Sequence, residues 1–316
     1  MKKGSKIWID GKIVDWDEAK IHILTHALHY GTGVFEGLRC YKTEDGPAIF
    51  RLYDHASRLV NSAKIYLMDL PCTASEIAEA IKATVNANKL DECYIRPIAF
   101  YGYGEMGVNP LPNKVSFAIA AWPWRAYLGD EASKTGVRCM VSSWRRINPS
   151  TLPPQAKSTA NYANSALAKI EALKAGYDEA ILLNVEGMVS EATGENIFRV
   201  KRGVLSTPPA SAGILRGITR DTVIQLASDA GIECHRTEVS REELYTSDEL
   251  FLCGTAAEIT PILEVDGRKI DDDQFPVTRK LQAAYDNVVR GRNKKYSHWL
   301  EYVTQTRFEN VPVRIS

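Results

Sequence analysis

The chain has 316 residues, of which 45% are hydrophobic and 25% are charged, and its formal net charge is 0. This length is about twice that of a common domain, so the sequence predicts a globular protein with two domains. A net charge of zero gives no general attraction to nucleic acid or to an anionic membrane surface, and we expect neither as a partner. Any anionic ligand must therefore be held by local groups.

The six cysteines are scattered and form no CxxC pair, which is typical of reduced thiols in a cytoplasmic protein rather than of a disulfide framework or a zinc site. The basic N-terminus is not followed by an apolar segment, because Asp10 and Gly11 interrupt it, so we predict no signal peptide. No apolar run approaches the length needed to span a membrane. These features together predict a cytoplasmic location.

The first 122 residues alternate short apolar strands with two helices, which predicts a small α+β domain. Asp10-Gly11 between two alternating runs indicates a hairpin. Residues 123–132 break this pattern with Trp and Pro, and we interpret them as an interdomain connector. The predicted strands are 7–14 (the hairpin), 37–41, 48–52, 93–100 and 115–121, and the predicted helices are 54–66 and 75–88.

Residues 133–316 are predicted to form a second, larger domain in which strands and helices again alternate. In its first helix, at 159–175, five apolar residues fall on one face: Ala163, Ala166, Leu167, Ile170 and Leu173. The other predicted helices are 218–230 and 277–289, and the predicted strands are 137–143, 179–184, 196–200, 204–207 and 249–253.

Lys157 lies between small and polar residues just before the helix at 159–175, and these neighbours leave room for a planar ring. A helix N-terminus disfavours an ammonium, which favours the neutral amine that Schiff-base formation requires. A Schiff-base lysine and a separate buried acid, which keeps a pyridine nitrogen protonated, are what pyridoxal 5'-phosphate chemistry requires. Tyr162 can direct its hydroxyl at the phenolic oxygen of that cofactor. The acid is Glu191 or Glu195, and sequence spacing does not separate the two.

Two segments offer backbone N–H groups to a phosphate. Gly217–Thr219 opens a predicted helix, and its N–H groups form an anion site together with the Thr219 hydroxyl. Gly254–Ala257 follows a predicted strand and adds further N–H groups and the Thr255 hydroxyl. Arg58, on the first long predicted helix, would supply a fixed positive charge. The combination predicts a phosphate site.

Two other patterns are set aside. Residues 102–107 spell the GxGxxG of dinucleotide-binding loops, but such a loop opens a helix, and Pro110 and Pro112 follow here. Residues 22–29 contain three histidines at helical spacing, but no Cys, Asp or Glu accompanies them at the spacing of metal ligands. We therefore predict no metal site.

The chain resembles the branched-chain amino-acid aminotransferases, within the D-amino-acid-aminotransferase-like group of pyridoxal-phosphate enzymes called fold type IV. The lysine and glutamate segments are shared by the whole group, whereas residues 30–39 and 94–110 point to the branched-chain branch. The segments that carry the resemblance are Ala27–Arg39, Tyr94–Pro97, Gly107–Pro110, the Lys157 loop, Ser190–Phe198, Gly217–Asp221 and Gly254–Pro261.

The resemblance implies an α+β fold of type IV, with a small N-terminal domain at 1–122 and a larger C-terminal pyridoxal-phosphate domain at 133–316 that contains a barrel-like sheet and helices. It implies transamination of L-leucine, L-isoleucine or L-valine with 2-oxoglutarate, which gives branched-chain 2-oxo acids and L-glutamate. It also implies a homo-oligomer, at least a dimer, since relatives form dimers or hexamers.

The resemblance also implies roles for individual residues. Lys157 would form the Schiff base and move the substrate Cα proton, Glu191 would pair with the pyridine nitrogen, and Tyr162 with the phenolic oxygen. The residues implied at the phosphate are Arg58, Gly217, Ile218, Thr219, Gly254 and Thr255. Those implied at the substrate are Tyr94, Thr255 and Ala256 for the α-carboxylate, Phe35, Trp124 and Tyr162 around the side chain, Arg96 and Tyr127 for a γ-carboxylate, Gly37, Arg39 and Ala257, and the partner subunit's Tyr30 and the partner subunit's Val108.

Other activities remain open. A D-amino-acid or (R)-amine transaminase, or an aminodeoxychorismate lyase, would use the same lysine on the same fold. An NAD-linked dehydrogenase, which residues 102–107 suggest, would bind a nicotinamide cofactor instead. A cofactor-binding regulator would hold pyridoxal phosphate without transferring an amino group.

Overall fold

The computed structural model describes residues 2–124, 132–270 and 274–303. These residues fold as two compact units that interleave along the sequence. Of the described residues, the first unit takes 2–124, 156–160 and 288–303, and the second takes the remainder. The segment with Lys157 thus belongs to the first unit, and the contiguous domains predicted to end at 122 and to begin at 133 stay a prediction. Most of the predicted connector, including Tyr127, lies outside the described residues.

Helices and strands are numbered here in chain order. The helices are α1 His26–Tyr30, α2 Leu52–Ile65, α3 Ala74–Ala87, α4 Ala132–Thr135, α5 Asn161–Lys174, α6 Ile218–Asp229, α7 Arg241–Tyr245 and α8 Pro276–Val289. The strands are β1 Lys6–Ile9, β2 Lys12–Asp15, β3 Gly33–Phe35, β4 Leu38–Thr43, β5 Gly46–Phe50, β6 Cys93–Tyr101, β7 Val115–Trp122, β8 Val137–Arg145, β9 Glu179–Leu183, β10 Val189–Ala192, β11 Asn196–Lys201, β12 Val204–Thr207, β13 Cys234–Arg236, β14 Glu249–Gly254, β15 Glu258–Val265, β16 Arg268–Lys269 and β17 Leu300–Tyr302.

The first unit is built on one antiparallel sheet, and residues of α2 and α3 share its apolar core. The strand order is β17-β5-β4-β6-β7-β1-β2. β4 pairs with the beginning of β6 and the short β3 with its end, while β7 covers the opposite edge. β6 is therefore paired along both edges and forms the centre of the unit.

Alternation of side chains along β4 and β6 separates the core from the predicted substrate residues. Ile95 lies in the core that α2 and α3 share. Because successive side chains in a strand point to opposite faces, Tyr94 and Arg96 lie on the other face. Arg39 and Trp122 are the Cα partners of Tyr94 on its two neighbouring strands, so they share that face. One face of the sheet thus carries three of the predicted substrate residues, Arg39, Tyr94 and Arg96.

Most of the elements predicted for this unit are confirmed. β1 and β2 form the predicted hairpin, with positive φ at Asp10 and Gly11 in its turn. The helix predicted to begin at Ser75 is capped two residues earlier, where Thr73 and Glu76 each accept the backbone N–H of the other. The sequence pattern does not reveal α1 and β3, because elements of five and three residues contain too few positions for a period.

The second unit contains a mixed sheet in the order β10-β9-β8-β15-β14-β11-β12-β13, with β16 beside β15. β8 runs parallel to β9 and β15, and β12 runs parallel to β13. Parallel neighbours need long connections, which α5 provides between β8 and β9 and α6 between β12 and β13. Because both units combine sheets with helices, the predicted α+β fold class is confirmed.

Helix α5 places its small residues, rather than its large apolar ones, against the sheet. Ala168 and Ala172 are fully buried and pack with residues of β9. Leu167, Ile170 and Leu173 are 44%, 51% and 57% exposed. The predicted apolar face therefore exists, but it points away from the sheet, because small side chains allow the closer approach of helix to strand.

The described part of the chain shows no helix that is both long and apolar enough to cross a membrane. All six cysteines are free thiols. Burial raises the pKa of Cys139 and Cys253, which keeps both protonated.

Candidate active site

The segment that carries Lys157 is held against β3 by backbone hydrogen bonds. Phe35 donates its N–H to the Lys157 carbonyl at 2.9 Å, and Thr159 donates its N–H to the Gly33 carbonyl at 2.9 Å. The Thr159 hydroxyl also donates to the carbonyl of Gly31 at 2.8 Å. The Lys157 Nζ lies 5.1 Å from the centroid of the Phe35 ring. The amine is thus fixed beside an apolar ring by a strand about 120 residues earlier in the chain, as the numbering of the two segments shows.

Helix α2 holds the same segment from another side. The Lys157 N–H donates to the Ser62 hydroxyl at 3.1 Å, and Tyr66 donates its hydroxyl to the Ser158 hydroxyl at 2.9 Å. Ser62 and Tyr66 are four residues apart, so one helix face reaches both positions. The lysine side chain therefore begins from a backbone with little freedom.

The bend between β3 and β4 contains a buried ion cluster. Arg58 donates to both carboxylate oxygens of Glu36, from Nε at 2.6 Å and from Nη2 at 2.9 Å, and His55 Nδ1 lies 2.7 Å from the same carboxylate. Burial would raise the pKa of Glu36, but the charges and hydrogen bonds of Arg58 and His55 outweigh it and hold that pKa well below its usual range. Burial lowers the pKa of His55. The predicted phosphate residue Arg58 is therefore oriented by a carboxylate.

Arg96 and Tyr94 form the polar part of the sheet face described above. Arg96 Nη2 donates to the Tyr94 hydroxyl at 3.1 Å, and its guanidinium carbon lies 4.7 Å from the Phe35 ring centroid. Among the described residues, the buried Nε of Arg96 has no hydrogen-bond acceptor. A buried donor of this kind is costly unless a ligand supplies the acceptor. Arg96 thus keeps a donor that an anionic ligand would satisfy, and its anion-binding role stays a prediction.

Gly37 and Trp124 also belong to this group. A Cβ on Gly37 would lie 2.0 Å from the Tyr94 hydroxyl, so only glycine leaves room for that hydroxyl. Trp124 lies against Tyr94, with ring centroids 5.1 Å apart, and against Trp122 at 5.7 Å. The aromatic rings extend the apolar surface that Phe35 begins.

Three predicted substrate residues of this unit have other surroundings. Arg39 lies over the Tyr41 ring and 3.5 Å from the Glu92 carboxylate. Tyr30 donates its hydroxyl to the Met106 carbonyl and is 42% exposed, and Val108 is 80% exposed. The predicted substrate role of Arg39 stays a prediction, as do the roles predicted for Tyr30 and Val108 in a partner subunit.

In the second unit, Glu191 is a buried carboxylate with three donors. Arg146 contacts its Oε1 at 2.7 Å, and the Asn196 side chain and the Leu215 N–H donate to its Oε2 at 2.9 and 3.0 Å. Removing one partner of a buried ion pair typically costs about 3–5 kcal/mol. Glu191 is thus held as a charged, oriented acceptor. Sequence reasoning missed Arg146 and Asn196, since neither stands out before the fold brings it to Glu191.

Glu195, the other candidate acid, has a different environment. It accepts the Gly194 N–H at 3.0 Å and is 4% exposed. The negative charge of the buried Glu179 carboxylate disfavours the ionised form of Glu195. Burial, followed by the charge of Glu179, raises the pKa of Glu195 to about 8. At neutral pH Glu195 therefore holds a proton. A group that must offer a negative charge to a pyridinium is better provided by Glu191 with its arginine.

The predicted phosphate segments of this unit have suitable backbone geometry. Gly217 is the N-cap residue of α6 and has no side chain that could accept the first N–H groups of the helix. A Cβ at Gly217 would lie 2.0 Å from the Asn196 side-chain oxygen, so this close approach requires glycine. Thr219, in the first helical turn, is buried. The N-terminus of α6 thus meets an amide side chain that also binds Glu191.

The remaining predicted residues of the second unit lie at the ends of elements. Residues 255–257 form the turn between the antiparallel strands β14 and β15, so their backbone N–H groups stand at a strand end. Ala257 accepts a hydrogen bond from the Thr260 hydroxyl at 2.8 Å. Tyr162 lies in the first turn of α5 and is half-buried.

The groups of each unit fit pyridoxal 5'-phosphate in their chemistry. The first unit supplies an amine on a fixed backbone and an oriented guanidinium, and the second supplies a buried carboxylate paired with arginine. The glycine required at residue 217 leaves the first N–H groups of α6 beside a small residue, as a phosphate cradle requires. These donor sets match the amine, pyridine-nitrogen and phosphate requirements one by one.

Residues 33–265 match the amino-transferase class IV family. The chain belongs to this family. The branched-chain-amino-acid aminotransferase of Escherichia coli (strain K12) is 47% identical over 306 residues, which cover 96% of this chain and 99% of that protein. The crystal structure of the Escherichia coli branched-chain amino acid aminotransferase superimposes with a TM-score of 0.94, at 46% identity, over 96% of this chain and 100% of that chain.

A second similar structure was solved with its cofactor. The branched-chain amino acid aminotransferase from Thermobaculum terrenum, in its PLP form (the holo form), has a TM-score of 0.90 and 39% identity, over 96% of this chain and 100% of that chain. These similarities confirm the resemblance to branched-chain aminotransferases and the fold type IV assignment that follows from it.

The structure also describes the GxGxxG segment and the histidines of residues 22–29, the two patterns set aside earlier. Residues 102–107 lie in a loop, and no helix begins within residues 102–113. His26 is buried, with its ring nitrogens 2.8 Å from the Thr32 hydroxyl and 2.8 Å from the Gly107 carbonyl. Among the residues that the structure describes, no group of three or more His, Cys, Asp and Glu side chains could hold a metal ion.

The raised pKa of Glu195 predicts a pH-dependent stability. Stability from the protonated carboxyl is complete below the ordinary value of 4.5 and is lost as the pH rises through about 8. Glu195→Gln keeps the neutral shape and cannot ionise. We expect its melting temperature, relative to the unsubstituted protein, to rise by a few degrees per pH unit between pH 6 and pH 8, since one unit corresponds to about 1.4 kcal/mol.

The matched control is Glu186→Gln, which changes an exposed carboxyl on a turn of the same unit. Its melting-temperature difference from the unsubstituted protein should stay constant over that range. A constant difference for Glu195→Gln as well would contradict the assignment of a proton to Glu195.

Proposed function

We propose that this chain is a pyridoxal-phosphate-dependent transaminase that exchanges amino groups between L-leucine, L-isoleucine or L-valine and 2-oxoglutarate. Its products are the branched-chain 2-oxo acids and L-glutamate. The observation that carries the proposal is the amine of Lys157, fixed beside Phe35 in a chain that resembles branched-chain aminotransferases over nearly its whole length.

The bound cofactor supplies an electron sink that stabilises negative charge at the substrate Cα. Lys157 would hold the cofactor covalently in the resting enzyme, and once the substrate amine displaced it, the freed Lys157 amine would accept and hold the proton from the substrate Cα. Hydrogen bonds to Phe35 and Ser62 fix the backbone from which this amine extends. A fixed starting point reduces the entropy that must be lost to reach the reacting geometry.

Two groups of residues hold the cofactor in this proposal. Glu191, paired with Arg146, offers a negative charge to the pyridine nitrogen, and Tyr162 directs its hydroxyl to the phenolic oxygen. Arg58 and the segments Gly217–Thr219 and Gly254–Thr255 hold the phosphate, through the guanidinium, backbone N–H groups and threonine hydroxyls.

The substrate surface must accept both leucine and glutamate side chains. Phe35 and Trp124 offer apolar area, and burying an aliphatic side chain yields about 1.5–3 kcal/mol. Arg96 offers a partly unsatisfied guanidinium beside those rings, so a γ-carboxylate finds a charge partner there. Tyr94 and the N–H groups of residues 255–257 bind the α-carboxylate that both substrates share. Tyr127 is proposed to assist Arg96.

This assignment is tested with substrate pairs. When each amine is added to the holoenzyme by itself, L-leucine should change the visible absorbance, whereas D-alanine and an aromatic (R)-amine should not. Arg96→Ala should lower kcat/KM for L-glutamate by about 30- to 100-fold, or about 2–3 kcal/mol, because the γ-carboxylate loses a charged donor. The value for L-leucine should fall by less than about 5-fold.

Arg138→Ala is the matched control, since Arg138 is a partly exposed arginine paired with Glu264. This substitution should leave kcat/KM unchanged for both L-glutamate and L-leucine. Equal losses of kcat/KM for glutamate and leucine in Arg96→Ala would contradict the proposed role of Arg96. An absorbance change with D-alanine and none with L-leucine would contradict the proposed activity.

We infer that the chain forms a homo-oligomer, at least a dimer, with a hexamer as the larger possible assembly. An apolar surface patch on the first unit supports this inference, and its side chains are between 39% and 80% exposed. Its two segments meet where the Tyr30 hydroxyl donates to the Met106 carbonyl and where the His22 and Tyr103 rings lie 4.2 Å apart. Exposed apolar patches of this kind are typical of interfaces. The patch consists of Ile21, Ile23, Leu24, Leu28, Tyr30, Tyr103, Val108 and Leu111. In the dimer, the partner subunit's Tyr30 and the partner subunit's Val108 would complete each substrate pocket.

Val108→Asp tests this interface. A charge at the most exposed residue of the patch would be buried in the dimer, so we expect light scattering to show a monomer with reduced leucine turnover. Val185→Asp, at an exposed apolar residue of the second unit, should leave the mass unchanged. A monomeric unsubstituted protein, or an unchanged mass for Val108→Asp, would contradict the inference.

A cytoplasmic location is part of the same proposal. It is supported by the six free cysteines and by the absence, within the described ranges, of any helix able to cross a membrane. Recovery of the leucine activity in the cytosolic fraction would test it, and recovery outside that fraction would contradict it.

A further inference from the structure

The carboxylate of Glu36 is a heavily engaged buried charge of the first unit. It lies in the bend between β3 and β4 and is 1% exposed. Arg58 binds both of its oxygens, His55 contacts Oε2 at 2.7 Å, and the Gly37 N–H donates to Oε2 at 3.3 Å. None of the roles assigned above accounts for such an arrangement.

We propose that Glu36 is a positioning residue for the cofactor phosphate: it fixes the guanidinium of Arg58 in the one orientation in which that group can meet the phosphate. The inference rests on the phosphate role of Arg58 in the proposed function. It adds the residue through which that role depends on the β3–β4 bend.

Two parallel hydrogen bonds between a carboxylate and a guanidinium fix the plane of the guanidinium as well as its distance. A free arginine side chain samples many rotamers, so an oriented one loses less entropy when it binds an anion. His55 and Gly37 hold the Glu36 carboxylate itself, which prevents it from following Arg58 if the latter rotates.

The cluster is also connected to the lysine. Arg58 and Ser62 are four residues apart on α2, and Ser62 accepts the Lys157 N–H. Phe35, next to Glu36, donates its N–H to the Lys157 carbonyl. One helix and one bend therefore hold both the Arg58 guanidinium and the backbone from which the Lys157 side chain extends.

The orientation of Arg58 by Glu36 favours phosphate binding, but the negative charge of Glu36 opposes it. A buried carboxylate near a dianion repels it, and this repulsion alone would make Glu36 unfavourable. Removing the charge therefore strengthens phosphate binding if repulsion dominates, and weakens it if orientation of Arg58 dominates. The sign of the change decides between the two effects.

The test compares pyridoxal 5'-phosphate with pyridoxal, which lacks the phosphate, as ligands of the apoenzyme. For Glu36→Gln we expect the Kd of pyridoxal 5'-phosphate, measured by fluorescence titration, to rise at least about 10-fold, whereas the Kd of pyridoxal changes less than about 2-fold. Arg58→Gln should show the same selective loss. The double variant should bind pyridoxal 5'-phosphate with the same Kd as Arg58→Gln alone, because Glu36 acts through Arg58.

Two further variants keep the result decisive if Glu36→Gln folds poorly. Arg58→Lys keeps the positive charge but cannot make two parallel bonds, and it should also lose selectivity for the phosphate form. Glu249→Gln removes another buried carboxylate, which caps α8 through Val277 and Thr278, and it should lower stability without changing the ratio of the two Kd values.

The proposal is overturned if Glu36→Gln binds pyridoxal 5'-phosphate as tightly as the unsubstituted protein or more tightly. It is also overturned by equal losses for both ligands, by additive losses in the double variant, or by full selectivity in Arg58→Lys. If Arg58→Gln itself keeps its selectivity, the phosphate role of Arg58 is wrong and the inference fails with it. Leucine turnover tests the proposed activity independently.

Discussion

The pairing of residues 156–160 with β3 is the constraint on which the site of the first unit depends. Hydrogen bonds from Phe35 to Lys157 and from Thr159 to Gly33 join segments that are far apart in sequence. Such contacts are expensive in chain entropy, so they persist only where the surrounding packing supports them. Here the support comes from the β6 edge, which pairs with β3, and from α2.

The buried carboxylates of Glu36 and Glu191 are each paired with an arginine of their own unit, whereas Arg96 keeps a donor for a ligand. Arg58 is bound by Glu36, and Glu191 is bound by Arg146, and both carboxylates are buried. Glu195, which lies among carboxylates, takes a proton instead. Because Glu36 and Glu191 already have charge partners, neither carboxylate needs the cofactor in order to be buried as the fold forms. The pairing also presents each charged group in a fixed orientation.

Sequence patterns predicted what depends on local periodicity or on a short motif. They predicted most strands, which the structure confirms, and they proposed roles for Lys157 and for the glycines at 217 and 254, because alternation and helix starts are local signals. They could not choose between Glu191 and Glu195, since the distinction depends on Arg146, some 45 residues earlier as the numbering shows. The orientation of α5 was equally hidden, because its apolar face and its small-residue face are both compatible with a buried helix.

The central claim is that a single amine, that of Lys157, carries the cofactor in the resting enzyme. Reduction of the purified holoenzyme with borohydride, followed by proteolysis and peptide mass mapping, tests it most directly. The account predicts a reduced phosphopyridoxyl label on the peptide that contains Lys157, and no label in Lys157→Ala. A label on another lysine, or an unlabelled protein that still transaminates L-leucine, would contradict it.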